Sequence, residues 1–494
     1  MKYISTRGQD NFGVSSAYAI KTGLASDKGL YMPEYIPSIS LDEVAELIPA
    51  SYPERAAKIL AKYLEDFEYS ELIEDAEKAY SYEKFGDSPA KLTRVKLGGA
   101  MLELWHGPTS AFKDMALQIM PRLFVRSLKK CGEERTALIL VATSGDTGKA
   151  ALEGYRDVDG TKVKVFYPVS GVSKVQKLQM QTQRGNNVSV VGIAGNFDDA
   201  QNGVKEIFAD TEYSSLLNEY NVFLSSANSI NWGRLVPQIV YYISAYCDMV
   251  KEGIIALGEH IDVCVPTGNF GNIFACYLAK RMGLPVGRLI CASNENDVLT
   301  QFLKEGVYDR NRVFHTTMSP SMDILISSNL ERLLFSELGA EKTAMYMAQL
   351  SENGRYKLTD EDFAKISAHF VGYSASEKDT ANIIKRVYKE ENCLIDTHTA
   401  VAFHATSKYT DANKAERKIL TVSTASAYKF AEDVYTSLTD TRPKDGLLAL
   451  EMLMALTGEP IPEPLKNLGK KEILHSATID KSEMKDAVSK FAKD

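Results

Sequence analysis

The 494-residue sequence has no long apolar run, few cysteines and no excess of positive charge. No stretch reaches the roughly eighteen apolar residues of a membrane span, and the first residues lack the apolar core of a signal peptide. The six cysteines form no CxxC pair and have no metal-ligand spacing, so we expect reduced thiols in a cytoplasmic protein. A net charge of −8 without a basic stripe argues against nucleic acid as the main partner. At 45% hydrophobic and 25% charged residues, we expect a soluble globular protein that binds no membrane.

Strand and helix patterns alternate from about residue 136. "TALILVAT" is typical of a strand buried on both faces, and the helix "KAALEGYRD" and the strand "KVKVFYPV" follow it. The pattern returns as the strand "HIDVCVPT", the helix "IFACYLAKRMG" and the strand "GRLICAS", with a further strand, "KILTVST", near 418–424. These units predict an α/β fold with parallel sheets, whose ligands bind at the carboxyl ends of the strands.

Three other segments have a pattern of their own. Residues 1 to about 90 carry short helical patterns, and in "SLDEVAELIPA" Ser40 and Glu43 have the spacing of a capping box. "LVPQIVYYISAYCDMV" is apolar almost all round and predicts a buried helix, with Pro237 in its first turn. The charged tail from residue 460 is predicted to lie at the periphery.

The loop "PTGNFGN" (266–272) follows one predicted strand. Gly268 and Gly271 let its backbone turn tightly and approach a ligand. The loop leads directly into a helix, whose free N–H groups and positive dipole end favour a phosphate. A plain strand-to-helix turn without a ligand is the alternative.

The loop "ATSGDTGKAA" (142–151) has the same arrangement. Ser144, Thr147 and backbone N–H groups would hold a carboxylate or a phosphate there. A nucleotide P-loop does not fit, because position 143 is Thr and Lys149 is followed by Ala. A simple helix cap by Asp146 or Thr147 is the alternative.

The stretch "SANSINWGRLVPQ" (226–238) holds a possible second anion site. Asn228, Ser229 and Arg234 together would supply neutral donors and one guanidinium group. Taken alone, however, the stretch favours a polar capping loop with Arg234 on the surface.

Two further segments carry polar side chains. In "TVSTASAYKF" (421–430), a strand ends in Ser423, Thr424 and Ser426, which would present hydroxyls to a ligand ring, although a strand-end turn is the more common reason for such residues. In "DTHTAVAF" (396–403), His398 has no carboxylate at metal-ligand spacing. We therefore expect His398 to be a hydrogen-bonded structural or site-edge residue, and we predict no metal site.

The stretch "HGPTSAFKDMALQ" places Lys113 behind small polar residues and one aromatic residue. Taken together with the loops above, it completes a set of one lysine, a phosphate cradle, a second oxyanion loop and an anion site with an arginine. A nucleophilic lysine beside a separate phosphate site is the arrangement that pyridoxal phosphate requires, because this cofactor joins a lysine covalently and acts as an electron sink.

Motifs along nearly the whole chain resemble those of the threonine synthases, pyridoxal-phosphate enzymes of the tryptophan-synthase-β-like fold (fold type II), in their long enterobacterial and fungal form. They are "GLASDKGLYMPEYIP", "WHGPTSAFKDMALQ", "TSGDTG", "NFDDAQNGVKEIF", "SANSINWGR", "PTGNFGN", "DTHTA" and "STASAYKF". The resemblance implies two open, mostly parallel sheets wrapped by helices, with an N-terminal helical or mixed extension. We expect an N-terminal domain at 1–90, a smaller domain with the lysine at 91–220, and a larger cofactor-phosphate domain with a helical tail at 221–494.

The resemblance also implies roles for individual residues. Lys113 is similar to the catalytic lysine that forms the Schiff base, and Thr424 to the hydroxyl residue that faces the pyridine nitrogen. The implied cofactor-binding set is Lys113, Phe112, Asp146, Gly268, Asn269, Phe270, Gly271, Asn272 and Thr424. The implied substrate-binding set is Ser144, Thr147, Asn228, Ser229 and Arg234, of which the last three hold the substrate's own phosphate.

The sequence departs from the family pattern at two places. The family often has Asp at the position of Asn272, which leaves the glycine-rich turn intact. It often has His-Pro where Ser426 and Ala427 stand, which changes the wall around the ring nitrogen while Thr424 is retained.

The activity implied by the resemblance is that of a carbon–oxygen lyase. O-phospho-L-homoserine and water would give L-threonine and phosphate by γ-elimination and β-addition, the last step of threonine biosynthesis. A phospho-lyase that releases 2-oxobutyrate from the same substrate is the nearest alternative, and a non-catalytic binding protein of the same fold is another. A threonine dehydratase would need no second phosphate site. We expect a monomer or a weak homo-oligomer.

Overall fold

The computed structural model describes residues 1–8, 12–413 and 417–493. The strands, numbered β1 to β15 in chain order, are Tyr3–Ser5, Tyr31–Pro33, Lys91–Val95, Gly99–Glu103, Thr136–Ala142, Thr161–Pro168, Val188–Ile193, Val222–Ser225, Ile261–Pro266, Val286–Ser293, Val307–Asp309, Arg355–Lys357, Phe370–Ser374, Ile419–Ser423 and Thr478–Ile479. The helices, numbered α1 to α22, are Ser16–Thr22, Leu41–Leu47, Tyr52–Tyr63, Tyr69–Ala79, Tyr82–Phe85, Asp114–Leu117, Met120–Lys130, Asp146–Tyr155, Lys174–Gln181, Phe197–Ala209, Thr211–Glu219, Trp232–Lys251, Gly271–Met282, Val298–Glu305, Leu330–Leu338, Ala340–Asn353, Asp360–Ser367, Glu377–Glu391, Thr397–Asn413, Ala431–Thr439, Gly446–Thr457 and Met484–Lys493.

Two larger sheets organise the chain. One has six strands in the order β13-β10-β9-β14-β4-β3, and the other has five in the order β15-β7-β6-β5-β8. All neighbouring pairs in these two sheets are parallel except β3 with β4. The structure therefore confirms the predicted α/β class with two mostly parallel sheets, and each strand predicted from an apolar run forms where expected.

Each sheet takes strands from distant parts of the chain. β3 and β4 join the six-stranded sheet beside β14, although residues 91–103 precede the whole five-stranded sheet in sequence. Near the other end, β15 pairs with β7, and Met484 and Val488 of α22 are buried against the five-stranded sheet. The tail is mostly exposed and β15 is an edge strand, in agreement with the predicted peripheral position, although a few apolar residues of the tail complete a core. The division at 1–90, 91–220 and 221–494 stays a prediction.

Local sequence signals explain several helix ends. Ser40 and Glu43 form the predicted reciprocal capping box at the start of α2, and Ser51 with Glu54 forms another at α3. The buried helix expected from the all-round apolar stretch is α12. It begins at Trp232, so Pro237 lies inside the helix rather than in its first turn. In the described part of the chain, no helix combines the length and the apolar character needed to cross a membrane.

Candidate active site

The lysine segment and the segment after β14 lie side by side because β4 and β14 are parallel neighbours. The N–H of Phe112 donates to the carbonyl oxygen of Thr424 (2.8 Å), and the N–H of Ser426 donates to that of Ser110 (3.1 Å). Parallel strands direct their carboxyl ends to one edge of the sheet. Two segments far apart in sequence, one with Lys113 and one with Thr424, therefore meet at that edge.

Ser321 is the contact point for three of the predicted loops. Its hydroxyl lies 3.4 Å from Nζ of Lys113 and 3.4 Å from Oδ2 of Asp146. Its carbonyl oxygen lies 2.6 Å from where a Cβ atom would stand on Gly268. A side chain at 268 would collide with this backbone, so glycine is required for the close approach. The lysine, the "TSGDTG" loop and the glycine turn therefore converge on one residue of the short 3-10 turn Pro320–Met322.

His398 holds this turn in place by a hydrogen bond. Its Nε2 accepts a hydrogen bond from the N–H of Ser321 (3.1 Å), and its Nδ1 lies 2.7 Å from Oδ2 of Asp396. The imidazole is 3% exposed. His398 thus occupies the edge of the site as a hydrogen-bonded residue, in agreement with its prediction.

Asp146 is held between two lysines. Its Oδ1 lies 2.8 Å from Nζ of Lys429 and accepts a 2.9 Å hydrogen bond from Gln176, while its Oδ2 lies 3.5 Å from Nζ of Lys113. Burial alone would raise the pKa of this carboxyl group, but the two ammonium groups and the glutamine outweigh burial and hold it well below its usual range. The alternative of a simple helix cap by Asp146 or Thr147 is wrong, because the N-cap of α8 is Gly145 and makes no side-chain cap bond.

Lys113 is not a surface lysine, since its side chain is only 11% exposed. Burial lowers the pKa of its ammonium group, and the positive charges of Lys429 and Arg234 lower it further, against the opposing effect of Asp146. Its Nζ also lies 5.1 Å from the ring centroid of Phe112. An amine of reduced basicity in a nearly closed site is suited to nucleophilic chemistry.

The glycine turn forms the strand-to-helix junction that the sequence predicts. β9 ends at Pro266, Phe270 adopts a left-handed conformation (φ 63°), and α13 begins at Gly271. Two neighbouring residues brace the turn: the hydroxyl of Ser327 donates to the carbonyl oxygen of Gly268 (2.7 Å), and Nδ2 of Asn329 donates to that of Asn269 (3.0 Å). The first N–H groups of α13 therefore follow a turn that is held by hydrogen bonds, and such groups at a helix start favour an anion.

Asn272 contributes an unpaired donor at this turn. Its Oδ1 accepts hydrogen bonds from the hydroxyls of Tyr241 (2.6 Å) and Tyr242 (2.5 Å). These bonds fix the orientation of the amide, and its buried Nδ2 has no partner among the described residues. A buried N–H group without an acceptor is unfavourable, so this amide is suited to an acceptor supplied by a ligand.

Arg234 is a buried cation without an ion pair to any residue that the structure describes. The guanidinium group donates from Nη1 to the carbonyl oxygen of Ala227 (2.8 Å), and its buried Nε has no partner in the same part of the chain. Burial lowers the pKa of Arg234 to about 10, opposed by the neighbouring Tyr155. The surface position that the sequence alone favoured is wrong, since Arg234 is 4% exposed. An anion entering here would satisfy both its charge and its free N–H.

The remaining predicted substrate residues lie on the more open side of the site. Ser144 and Asn228 are exposed, whereas Thr147 and Ser229 are partly buried. The hydroxyl of Ser229 lies 3.4 Å from Nδ2 of Asn329, the same amide that donates to the glycine turn. Asn329 therefore links the "SANSINWGR" loop directly to the phosphate cradle.

Sequence reasoning missed four residues of this site: Ser321, Asn329, Arg332 and Lys429. Arg332 is fully buried and donates to Oδ1 of Asn329 and to the carbonyl oxygens of Ile230 (2.5 Å) and Tyr31. Of the four, only Lys429 carried a signal, because it lies inside the quoted motif "STASAYKF". The other three belong to a segment with no glycine-rich loop or other pattern.

Comparisons with known proteins agree with this geometry. A family model described as pyridoxal-phosphate dependent enzyme matches residues 100–425, and one described as threonine synthase N terminus matches residues 2–80. The threonine synthase of Pseudomonas aeruginosa is 38% identical over 444 residues, covering 88% of this chain and 90% of that protein. The chain belongs to the threonine synthase family. The matches confirm the resemblance expected from the motifs and its pyridoxal-phosphate dependence.

Other members of the threonine synthase family are similar over different shares of their length. The crystal structure of PLP-bound threonine synthase from Brucella melitensis is 33% identical, with a TM-score of 0.88 and coverage of 100% of both chains. Human threonine synthase-like 1 is 41% identical over 436 residues, which cover 85% of this chain. The chain spans only 57% of the length of that human relative.

Proposed function

We propose that this protein is a threonine synthase, which converts O-phospho-L-homoserine and water to L-threonine and phosphate. The observation that carries the proposal is the presence of two separate anion sites beside one buried lysine. The glycine turn at the start of α13 suits one phosphate, and the unpaired Arg234 suits another. A cofactor phosphate and a substrate phosphate together would fill both, whereas a dehydratase of this fold needs the first alone.

The residues around Lys113 fit pyridoxal phosphate. The N–H groups of α13 and the free Nδ2 of Asn272 would take its phosphate, and the absence of a Cβ on Gly268 permits the close backbone approach that shapes the cradle. We assign Lys113 to its covalent attachment, and Phe112, Asp146 and Thr424 to the walls around its ring. When bound, the cofactor supplies the electron sink for carbanion chemistry at the substrate.

Different residues of the chain are proposed to transfer protons and to bind the substrate. The amine of Lys113 would move protons at Cα and Cβ of the substrate, since its lowered basicity suits a group that both accepts and donates. Arg234, Asn228 and Ser229 would bind the substrate phosphate and stabilise the charge that develops as it leaves. Ser144 and Thr147 would orient the carboxylate of the substrate at the N-terminal end of α8.

Product analysis tests the proposal directly. The full chain, loaded with pyridoxal phosphate and given O-phospho-L-homoserine, should release threonine and phosphate in equal amounts. Proton and phosphorus NMR measure the two products. Release of 2-oxobutyrate in place of threonine would assign the chain to the phospho-lyase alternative. Absence of any product, with the cofactor retained, would favour a binding protein.

Asn272 provides a test of the phosphate cradle. Replacing Asn272 with alanine should weaken cofactor binding by about 10- to 100-fold, because it removes the free Nδ2 donor and the acceptor of the buried Tyr242 hydroxyl. Equilibrium dialysis against pyridoxal phosphate measures this effect. The matched control is Asn353→Ala at the end of α16, which should bind the cofactor as the unchanged protein does. Equal affinity of the Asn272 variant would remove this residue from the cradle.

The proposal extends to the partners, the location and the oligomeric state of the protein. The substrate and products are small molecules, so we propose no nucleic-acid or membrane partner. We also propose a cytoplasmic location and a monomer or weak homo-oligomer.

A further inference from the structure

Lys429 is a second buried lysine beside the site, outside the set that the motifs predict. It lies in the 3-10 turn Ala427–Phe430, and its side chain is 0% exposed. Its Nζ reaches three acceptors: Oδ1 of Asp146 (2.8 Å), the carbonyl oxygen of Thr109 (2.9 Å) and Oε1 of Gln179 (3.2 Å). The ammonium group is therefore fully bonded and fixed in position, which suits it to an electrostatic role rather than to direct chemistry.

Asp146 connects this ammonium group to Lys113. One carboxylate oxygen faces Lys429 at 2.8 Å, and the other faces Lys113 at 3.5 Å. Because electrostatic attraction falls with distance, the attraction between Asp146 and Lys429 is stronger than that between Asp146 and Lys113. Lys113 is left with the weaker contact, and with a hydroxyl of Ser321 at 3.4 Å.

We propose that Lys429 is a positioning residue for Lys113. It anchors the Asp146 carboxylate in place, and its positive charge increases the fraction of Lys113 present as the uncharged amine. The inference rests on the proposed function, because an uncharged amine at position 113 is the form that attaches the cofactor and accepts protons from the substrate.

The balance of charges around Lys113 supports this role. Asp146 from α8 is the nearby anion and contacts both Lys113 and Lys429, whereas Arg234 from α12 adds a further positive charge near Lys113. The other titratable groups nearby have different partners. Asp114 accepts bonds from the N–H and the hydroxyl of Thr109, and Nε2 of His398 accepts the N–H of Ser321.

The experiment measures the protonation of Lys113 itself. The full chain, freed of cofactor so that the Lys113 amine is not covalently attached, is treated with a trace of acetic anhydride across a range of pH, and mass spectrometry follows acetylation of the peptide that contains Lys113. In Lys429→Met the midpoint of labelling should rise by about one pH unit or more, because a repelling cation is lost and Asp146 is freed for Lys113. In Asp146→Asn the midpoint should fall, since an attracting anion is lost. In the cofactor-loaded chain, the pH midpoint of the visible absorbance band should move in the same directions.

Two controls separate charge from packing. Gln179→Met removes one acceptor of Lys429 but retains the ammonium charge, so the Lys113 midpoint should stay unchanged. Lys429→Arg retains the charge and should restore most of the original midpoint. If Lys429→Met does not fold, the single variant Asp146→Asn is compared with the double variant Asp146→Asn/Lys429→Met, in which both buried charges are removed. The labelling midpoint of Lys113 should then be higher in the double variant than in the single variant.

An unchanged or lower midpoint in Lys429→Met would overturn the inference, as would equal midpoints in the Asp146→Asn pair. The labelling needs no turnover. A chain that shows the predicted shifts but forms no threonine would therefore contradict the proposed function and leave the role of Lys429 intact.

Discussion

Replacing Lys113 with alanine should reduce threonine formation by at least about 10³-fold, the range lost when a group that transfers protons is removed. The loss should be larger than that of a simple base, because the same amine is assigned to covalent cofactor attachment and to proton transfer at two substrate carbons. The second buried lysine at the site, Lys429, is not placed to replace it, because its Nζ already makes three bonds. Steady-state assay of threonine from O-phospho-L-homoserine measures the effect.

Cofactor fixation separates loss of chemistry from loss of the site. After borohydride reduction, the unchanged chain should carry the cofactor on the peptide with Lys113, whereas Lys113→Ala should release it on denaturation. Lys113→Ala should still bind the cofactor reversibly, because the glycine turn is built by β9 and α13 and by the bonds from Ser327 and Asn329. The exposed Lys129→Ala serves as control and should behave as the unchanged chain. Activity above about a tenth of normal in Lys113→Ala would refute the assigned role.

The parts of the site that could be predicted are those built by a single strand-to-helix junction. β9, the turn at 266–272 and α13 are contiguous, so the apolar strand, the two glycines and the following helix specify the cradle locally. The same holds for β5, the "SGDTG" loop and α8. In both cases the position of the loop at the carboxyl end of a parallel strand follows from the fold class.

The parts that could not be predicted depend on contacts between distant segments. Ser321 reaches Lys113 because the turn at 320–322 is held against His398, and nothing in the sequence around 321 specifies that contact. The burial of Arg234 depends on the packing of α12, where Pro237 lies inside the helix instead of starting it. Asn329 likewise acts on the glycine turn from the start of α15. Local patterns define elements, whereas these positions are set by tertiary packing.

Replacing Arg234 with methionine should lower kcat/KM for O-phospho-L-homoserine by about 30- to 5000-fold, which corresponds to a loss of about 2–5 kcal/mol of transition-state stabilisation. Arg234 is 4% exposed, its Nε is unpaired, and its guanidinium group has no ion pair among residues 1–8, 12–413 and 417–493. A buried charge pair with the substrate phosphate would therefore be lost on substitution. Lysine should rescue little, since it lacks the planar fork of donors that phosphate binding uses. Steady-state kinetics of both variants measure this, with Arg355→Met at an exposed position of strand β12 as control.

The thermal stability of Arg234→Met should not fall although its activity does, and this result separates a ligand-binding residue from a structural one. An unpaired buried cation destabilises the ligand-free fold, so Arg234→Met should unfold at the same temperature as the unchanged chain or higher. Inorganic phosphate should raise the unfolding temperature of the unchanged chain, because a ligand that binds the folded state stabilises it, and should do so less in Arg234→Met. Calorimetry with and without phosphate gives both values. A marked fall in the unfolding temperature of Arg234→Met without ligand, with an undiminished response to phosphate, would mean that Arg234 supports the fold and that the second anion binds elsewhere.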